Sequence, residues 1–192
     1  METSASAPVR IRRSKKVPTI DHARAVEYFG TVNYATNERV LEEIRELVIE
    51  HATAPITLHV TSPGGPTGTA MCFYDTVRTV LKPTLTTIGS GDVDSSGIII
   101  FLTGDTRYVT PNTTLLLHLA GRVFGEGQRF TSAEMDAMLR EDRLKDFQYA
   151  SVVAERSHGR LTSEQALSMM EKNTILTPIE LVTYGLADRV LS

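Results

Sequence analysis

The sequence predicts an α/β domain built on a largely parallel sheet. Strand-like and helix-like runs alternate along most of the chain, and glycine-rich turns such as Ser62-Pro63-Gly64-Gly65 lead from strand into helix. The bulk composition agrees. With 192 residues, 41% of them hydrophobic and 22% charged, the chain suits one domain with a proper core. A net charge of −3 argues against a nucleic-acid-binding domain. Cys72 is the only cysteine, which excludes a disulfide framework and a cysteine metal cluster. No apolar run approaches the roughly 20 residues of a membrane span, and no signal-peptide core opens the chain. A soluble cytoplasmic protein is expected, without metal or other cofactor.

Residues 1–24 read as a flexible N-terminal segment that carries the basic run Arg10-Ile-Arg-Arg-Ser-Lys-Lys16, and residues 25–192 as a single domain. Ala25–Val32 reads as a strand. Asn37 is a suitable N-cap for a helix to about Ala52, with Val40, Leu41, Ile44, Leu47 and Val48 on one face. Ile56–Val60 alternates as a strand does and stops at Ser62-Pro63-Gly64-Gly65. Pro66 suits the first turn of a helix running to Lys82, and Thr84–Ile88 is the next strand. Gly89–Gly97 then turns into a buried helix with Ser95 in its first turn, followed by strands at Arg107–Val109 and Thr114–Leu117.

Leu119–Phe130 holds Gly121, Gly125 and Gly127, so it reads as a loop or an irregular extended arm. Capping boxes start three helices: Thr131 with Glu134, Thr162 with Gln165, and Thr177 with Glu180. The first runs to Gly159, the second to about Lys172 and the third to Gly185; Ala187–Leu191 is a last strand.

Chemistry concentrates at two of the turns. A serine held at a strand-to-helix corner stands clear of the sheet edge, and the unpaired amides of the new helix point the same way. Acyl-transfer enzymes use that geometry to present a nucleophile and hold an oxyanion, which singles out Ser95. The plain alternative is a tight turn whose serines cap a core helix. Of the five histidines, His118 follows Leu115-Leu-Leu117 at a strand's C-terminal end, where open α/β sheets place ligands. His158, beside Gly159, suits a helix C-terminus on dipole grounds. No histidine–carboxylate spacing suggests a metal site.

Ile56–Gly65, Phe73-Tyr-Asp-Thr-Val77, Ser95-Ser-Gly97, Pro111-Asn112 before His118, and Tyr184-Gly-Leu-Ala-Asp188, in this order, resemble the proteolytic subunit of the Clp protease. The likeness runs from about Tyr28 to Leu191. It implies a crotonase-like α/β wedge of repeated β-β-α units, with a protruding handle (a long helix plus a Gly-rich strand) over about 119–158. It also implies heptameric rings, stacked in pairs and fed with unfolded polypeptide by an AAA+ unfoldase ATPase. By the same resemblance Ser95 is the nucleophile, His118 the general base, and the Gly65 and Ser96 amides the oxyanion hole. The third triad position falls on Asn173, where the family has an aspartate. In another serine protease fold an Asp-to-Asn change at that position costs about 10⁴ in kcat.

Other departures accompany it. Asp92 and Asp94 stand beside the serine where small neutral residues are usual, and Ser96 replaces a methionine. Pro66 removes a donor next to the oxyanion hole. Lys172 replaces an arginine tied to ring-to-ring contacts, and it cannot make a bidentate bond. The readings are therefore a serine endopeptidase with an atypical Ser-His-Asn triad, a non-catalytic or conditionally active subunit that co-assembles with a catalytic paralogue, and a crotonase-type acyl-CoA enzyme. The last is disfavoured by a short chain with no obvious CoA-binding loop.

Overall fold

The computed structural model describes residues 19–191; the basic run at 10–16 lies outside them. Its strands are β1 (Ala25–Phe29), β2 (Ile56–Ser62), β3 (Leu85–Val93), β4 (Thr106–Val109), β5 (Leu115–Leu117), β6 (Thr174–Leu176) and β7 (Arg189–Val190). Five of them pair in parallel in the order β1-β2-β3-β4-β7, and β5 pairs antiparallel with β6. Strict alternation puts Val26, Tyr28, Ile56, Leu58 and Val60 inside and leaves Glu27 and Phe29 facing out. The helices are α1 (Tyr34–Glu50), α2 (Thr67–Asp75), α3 (Gly97–Phe101), α4 (Ser132–Arg156), α5 (Ser163–Glu171) and α6 (Pro178–Thr183). The α/β architecture with its mostly parallel sheet is the one expected.

Several details differ. The α1 cap is Asn33, whose side chain accepts from Thr36 N–H at 2.8 Å. Asn37 is instead a buried helical residue that accepts from the Tyr28 hydroxyl at 2.6 Å and donates to Thr69 O at 2.8 Å. Asparagine satisfies both jobs, and only Asn33 has the extended backbone of a cap. The helix after Pro66 leaves α-geometry at Thr76 and winds as a wider π-type turn over Thr76–Leu81, closed by Lys82 at φ 48°. Residues Asp21–Arg24, expected within a flexible segment, form a capped turn. The buried Arg24 guanidinium ties that turn to the end of α1 through the carbonyls of Leu47, His51 and Pro55.

The Gly-rich 119–130 segment makes no strand pairing among the described residues. It lies along α4 and is held by side chains rather than by a ladder. Arg122 forks onto Asp142 at 2.8 and 3.0 Å and reaches Glu141 at 2.7 Å. Along α4 before Tyr149, Met135, Leu139, Leu144 and Phe147 are about half exposed. Only Tyr149, Ala150 and Val153 of this helix are buried.

Candidate active site

β3 is longer than the sequence predicts, and its extension builds the site. Register shifts between the Val60–Gly89 and Ser62–Val93 pairs, a bulge that swings the strand end off the parallel sheet. It then docks on β5. Val93 N–H donates to Thr114 O, Ser95 N–H donates to Leu116 O at 2.9 Å, and the Asp94 carboxylate accepts from Leu116 N–H at 2.8 Å. Ser95 follows at φ 52°, left-handed backbone that non-glycine residues rarely occupy, just before α3 rather than in its first turn. Space for this corner comes from glycine. A Cβ on Gly64 would lie 2.6 Å from Ser95 Cβ, and one on Gly97 2.9 Å from Ser62 Cβ. The Tyr149 hydroxyl, fully buried, donates to Ser95 O at 2.8 Å and fixes the corner from α4. The Ser95 hydroxyl has no hydrogen-bond partner among the described residues.

Two backbone donors face the same cleft. Gly64 O accepts from Val32 N–H at 2.8 Å, and a Cβ on Gly65 would sit 2.1 Å from Val32 O, so the Ser62–Gly65 turn is pinned. Neither Gly65 N–H nor Ser96 N–H donates to any described residue. Both residues line a cleft of about 510 Å³ together with Ser95, His118, Asp146 and Tyr149. His118 stands just past β5. Its Nδ1 lies 2.7 Å from Leu119 O, and because a carbonyl only accepts, Nδ1 carries the proton. Neutral His118 is thereby held as the tautomer whose Nε2 has a free lone pair. No hydrogen bond joins His118 to Ser95 in this structure. Such bonds are often long before substrate binds.

A serine on a strained strand-to-helix corner, two unused amides and a histidine of fixed tautomer thus share one cleft. A family model described as Clp protease matches residues 11–192. The chain belongs to the Clp protease family. Serine peptidase activity is the general property of that family, and the match covers nearly the whole chain, including all the motifs that carried the resemblance.

Within the Clp protease family framework, Asn173 is the candidate third triad position, and no hydrogen bond joins it to His118 in this structure. It is exposed and does not itself line the cleft, but the β5–β6 register, with Leu117 opposite Thr174, carries it to the position across from His118. Its backbone is left-handed, φ 51°, with its N–H on Met170 O at the end of α5, so asparagine serves there as a turn residue. Asp92 is exposed beside Thr114. Asp94 turns toward β5, and burial raises its pKa against the lowering effect of the Leu116 N–H. His158 is also not a helix-end cation: Arg107 donates to its Nε2 at 2.9 Å, and burial lowers its pKa. Sequence reading missed Asp146 and Tyr149. With Asp142 they recur at four- and three-residue intervals on one face of α4, a signal visible once that face is known to meet His118. Among the described residues no acidic, histidine or cysteine cluster fits a metal, and no helix is long and apolar enough to cross a membrane.

Proposed function

We propose that this chain is a serine endopeptidase subunit that cleaves unfolded polypeptide within a ring-shaped chamber. The observation that carries the reading is the convergence of Ser95, His118 Nε2 and the two undonated amides of Gly65 and Ser96 on one cleft. Ser95 Oγ attacks the scissile carbonyl carbon while its proton passes to His118 Nε2. The carbonyl oxygen, now negative, is held by the Gly65 and Ser96 amides. Collapse breaks the C–N bond, and the imidazolium returns the proton to the leaving amine. Water, deprotonated by His118, then attacks the acyl carbon; the C–Oγ bond breaks, the imidazolium returns the proton to Ser95 Oγ, and the new carboxylate leaves. The half-exposed apolar side chains of α4 support packing against other copies, in heptameric rings stacked in pairs, or against a catalytic paralogue. An AAA+ ATPase is the partner class that would feed such a chamber. Location in the cytoplasm fits this role.

The second reading, a silent ring subunit, draws on the uncharged Asn173 and on the missing Ser95–His118 bond. Fluorophosphonate labelling of the assembled protein, read by intact mass, separates the two. The peptidase reading expects one adduct per chain, lost in Ser95→Ala together with peptide hydrolysis, by about 10⁴-fold or more. Intact rings that never label would leave the silent reading standing.

A further inference from the structure

Besides His118, the charged side chains that line the cleft are Arg122 on the Gly-rich arm and Asp142, Lys145 and Asp146 on α4. All but one are neutralised in place. Arg122 forks onto Asp142 and also holds Glu141, and Lys145 holds Glu141 at 2.6 Å, so two cations stand against two carboxylates. Asp146 is left over. Its Oδ1 accepts from Ala120 N–H at 2.7 Å, and no cation pairs with it among the described residues. Asp146 lies one helical turn before Tyr149 on the same face of α4, and the Tyr149 hydroxyl donates to Ser95 O at 2.8 Å. Ala120, which holds the other side of the carboxylate, is two residues beyond His118. The charge is thus anchored in the cleft wall from both ends: through its helix to the serine corner, and through the arm to the exit of β5.

An ionised carboxylate has room for about four hydrogen bonds, and this half-buried one accepts a single backbone donor. Burial raises its pKa against the lowering effect of the Ala120 N–H, and the nearby Asp142 adds to the rise. A cation entering the cleft would offset both the burial and the repulsion. Buried Met170 and half-buried Leu119 add apolar lining on which a methylene stem can lie while its charged head reaches outward. Arg122, already held by two carboxylates, is not free to fill the place. We propose that Asp146 is a specificity-determining residue: the cleft takes a lysine or arginine side chain of the polypeptide, its stem on the apolar lining and its head on the Asp146 carboxylate. Acidic side chains are disfavoured by the same unpaired charge.

This inference deepens the peptidase reading and rests on it for the cutting, but the preference is measurable without turnover. The probes are short fluorescein-labelled peptides, alike except for a central lysine, norleucine or glutamate; norleucine keeps the lysine stem and lacks the charge. Binding to the assembled full-length Ser95→Ala protein is read by fluorescence anisotropy, and cleavage by the parent is read by mass spectrometry. Lysine is expected to bind about tenfold more tightly than norleucine, and to be preferred by a similar factor in kcat/KM, with glutamate the weakest of the set. Asp146→Asn in the Ser95→Ala background keeps an amide oxygen to accept the Ala120 N–H and removes the charge, so the lysine-to-norleucine ratio should fall to about one. Asp146→Ser removes the same charge and replaces it in the test if Asp146→Asn fails to assemble. A lysine peptide bound no better than its norleucine twin overturns the proposal, and so does a lysine preference that survives loss of the Asp146 charge. A lysine preference in binding, with a parent that never labels with fluorophosphonate, would refute the peptidase reading alone. Labelling and cleavage without that preference would refute this inference alone.

Discussion

Arg107→Met is the most demanding test of how the C-terminal end of the chain is held. Arg107 is fully buried on β4, with no carboxylate bonded to its guanidinium. It donates to Leu186 O at 2.8 Å, Gly185 O at 3.0 Å and Arg156 O at 2.8 Å, and also to Gly104 O and His158 Nε2. Burial pushes its pKa down to about 10, so the charge itself is a cost to the fold. Methionine of similar length relieves that cost but cannot donate. Gly104 O keeps its bond from Arg156, and half-exposed His158 can rehydrate. The carbonyls of Leu186, Gly185 and Arg156 lose theirs.

Three orphaned carbonyls at about 1–2 kcal/mol each, less the relieved desolvation, give a net loss of roughly 2–4 kcal/mol. That corresponds to a Tm fall on the order of 10 °C for a chain of this length. Urea unfolding of the assembled protein should show a lower midpoint at unchanged slope. Amide exchange should rise first at Asp188 and Leu191, whose N–H groups bond Arg107 O and Val109 O across to β4. A methionine variant as stable as the parent, with unchanged exchange there, would refute the claim that donation to fixed backbone acceptors outweighs the buried charge.

Ser96→Ala should raise stability by about 1 kcal/mol in the same unfolding assay. The Ser96 hydroxyl is the one buried side-chain polar atom without a partner among the described residues, and its removal leaves the backbone amide in place. Tyr149→Phe should lower stability by about 1 kcal/mol and slow labelling of Ser95, because Ser95 O loses the hydroxyl that fixes its corner. His158 makes stability pH-dependent. Arg107 requires its neutral form, and its folded pKa lies below the ordinary histidine value. Its contribution is therefore complete above about pH 6.5 and lost as pH falls through the lower folded value. His158→Asn, which tolerates the positive φ of 56°, should flatten that part of the unfolding-midpoint profile measured over pH 5–7.5.

What the sequence made legible were features written in local chemistry. The three capping boxes form as spaced, each with its Thr and its Glu or Gln bonded reciprocally. Strand–turn–helix order fixed the parallel sheet, and Ser95 and His118 fell at neighbouring strand ends as expected. Less legible were features decided by a partner distant in sequence. β6 is three residues between a helix and Pro178, too short to show a period, and it exists because β5 pairs with it. Arg107 sits in a β-patterned run where arginine ordinarily faces water. Its burial depends on carbonyls 49 to 79 residues away. The extended arm at 119–130 forms no strand among the described residues and is held by side chains of α4 instead.

Asn173 shows how these two kinds of information conflict. Read by alignment of motifs, it is a triad member weakened by the loss of a charge. In the structure the position is decided by its backbone: φ is 51°, where glycine and asparagine are the tolerated choices, and the N–H closes α5 on Met170 O. A residue so constrained is a poor place from which to infer that chemistry was abandoned. Pairing of Leu117 with Thr174 across β5 and β6 carries Asn173 to the position opposite His118. Asn173→Asp should therefore speed the labelling of Ser95, measured on intact rings at neutral pH. A gain approaching the roughly 10⁴-fold that separates Asp from Asn in a working triad would show that the turn after α5 serves the histidine during turnover, and an unchanged rate would refute that role.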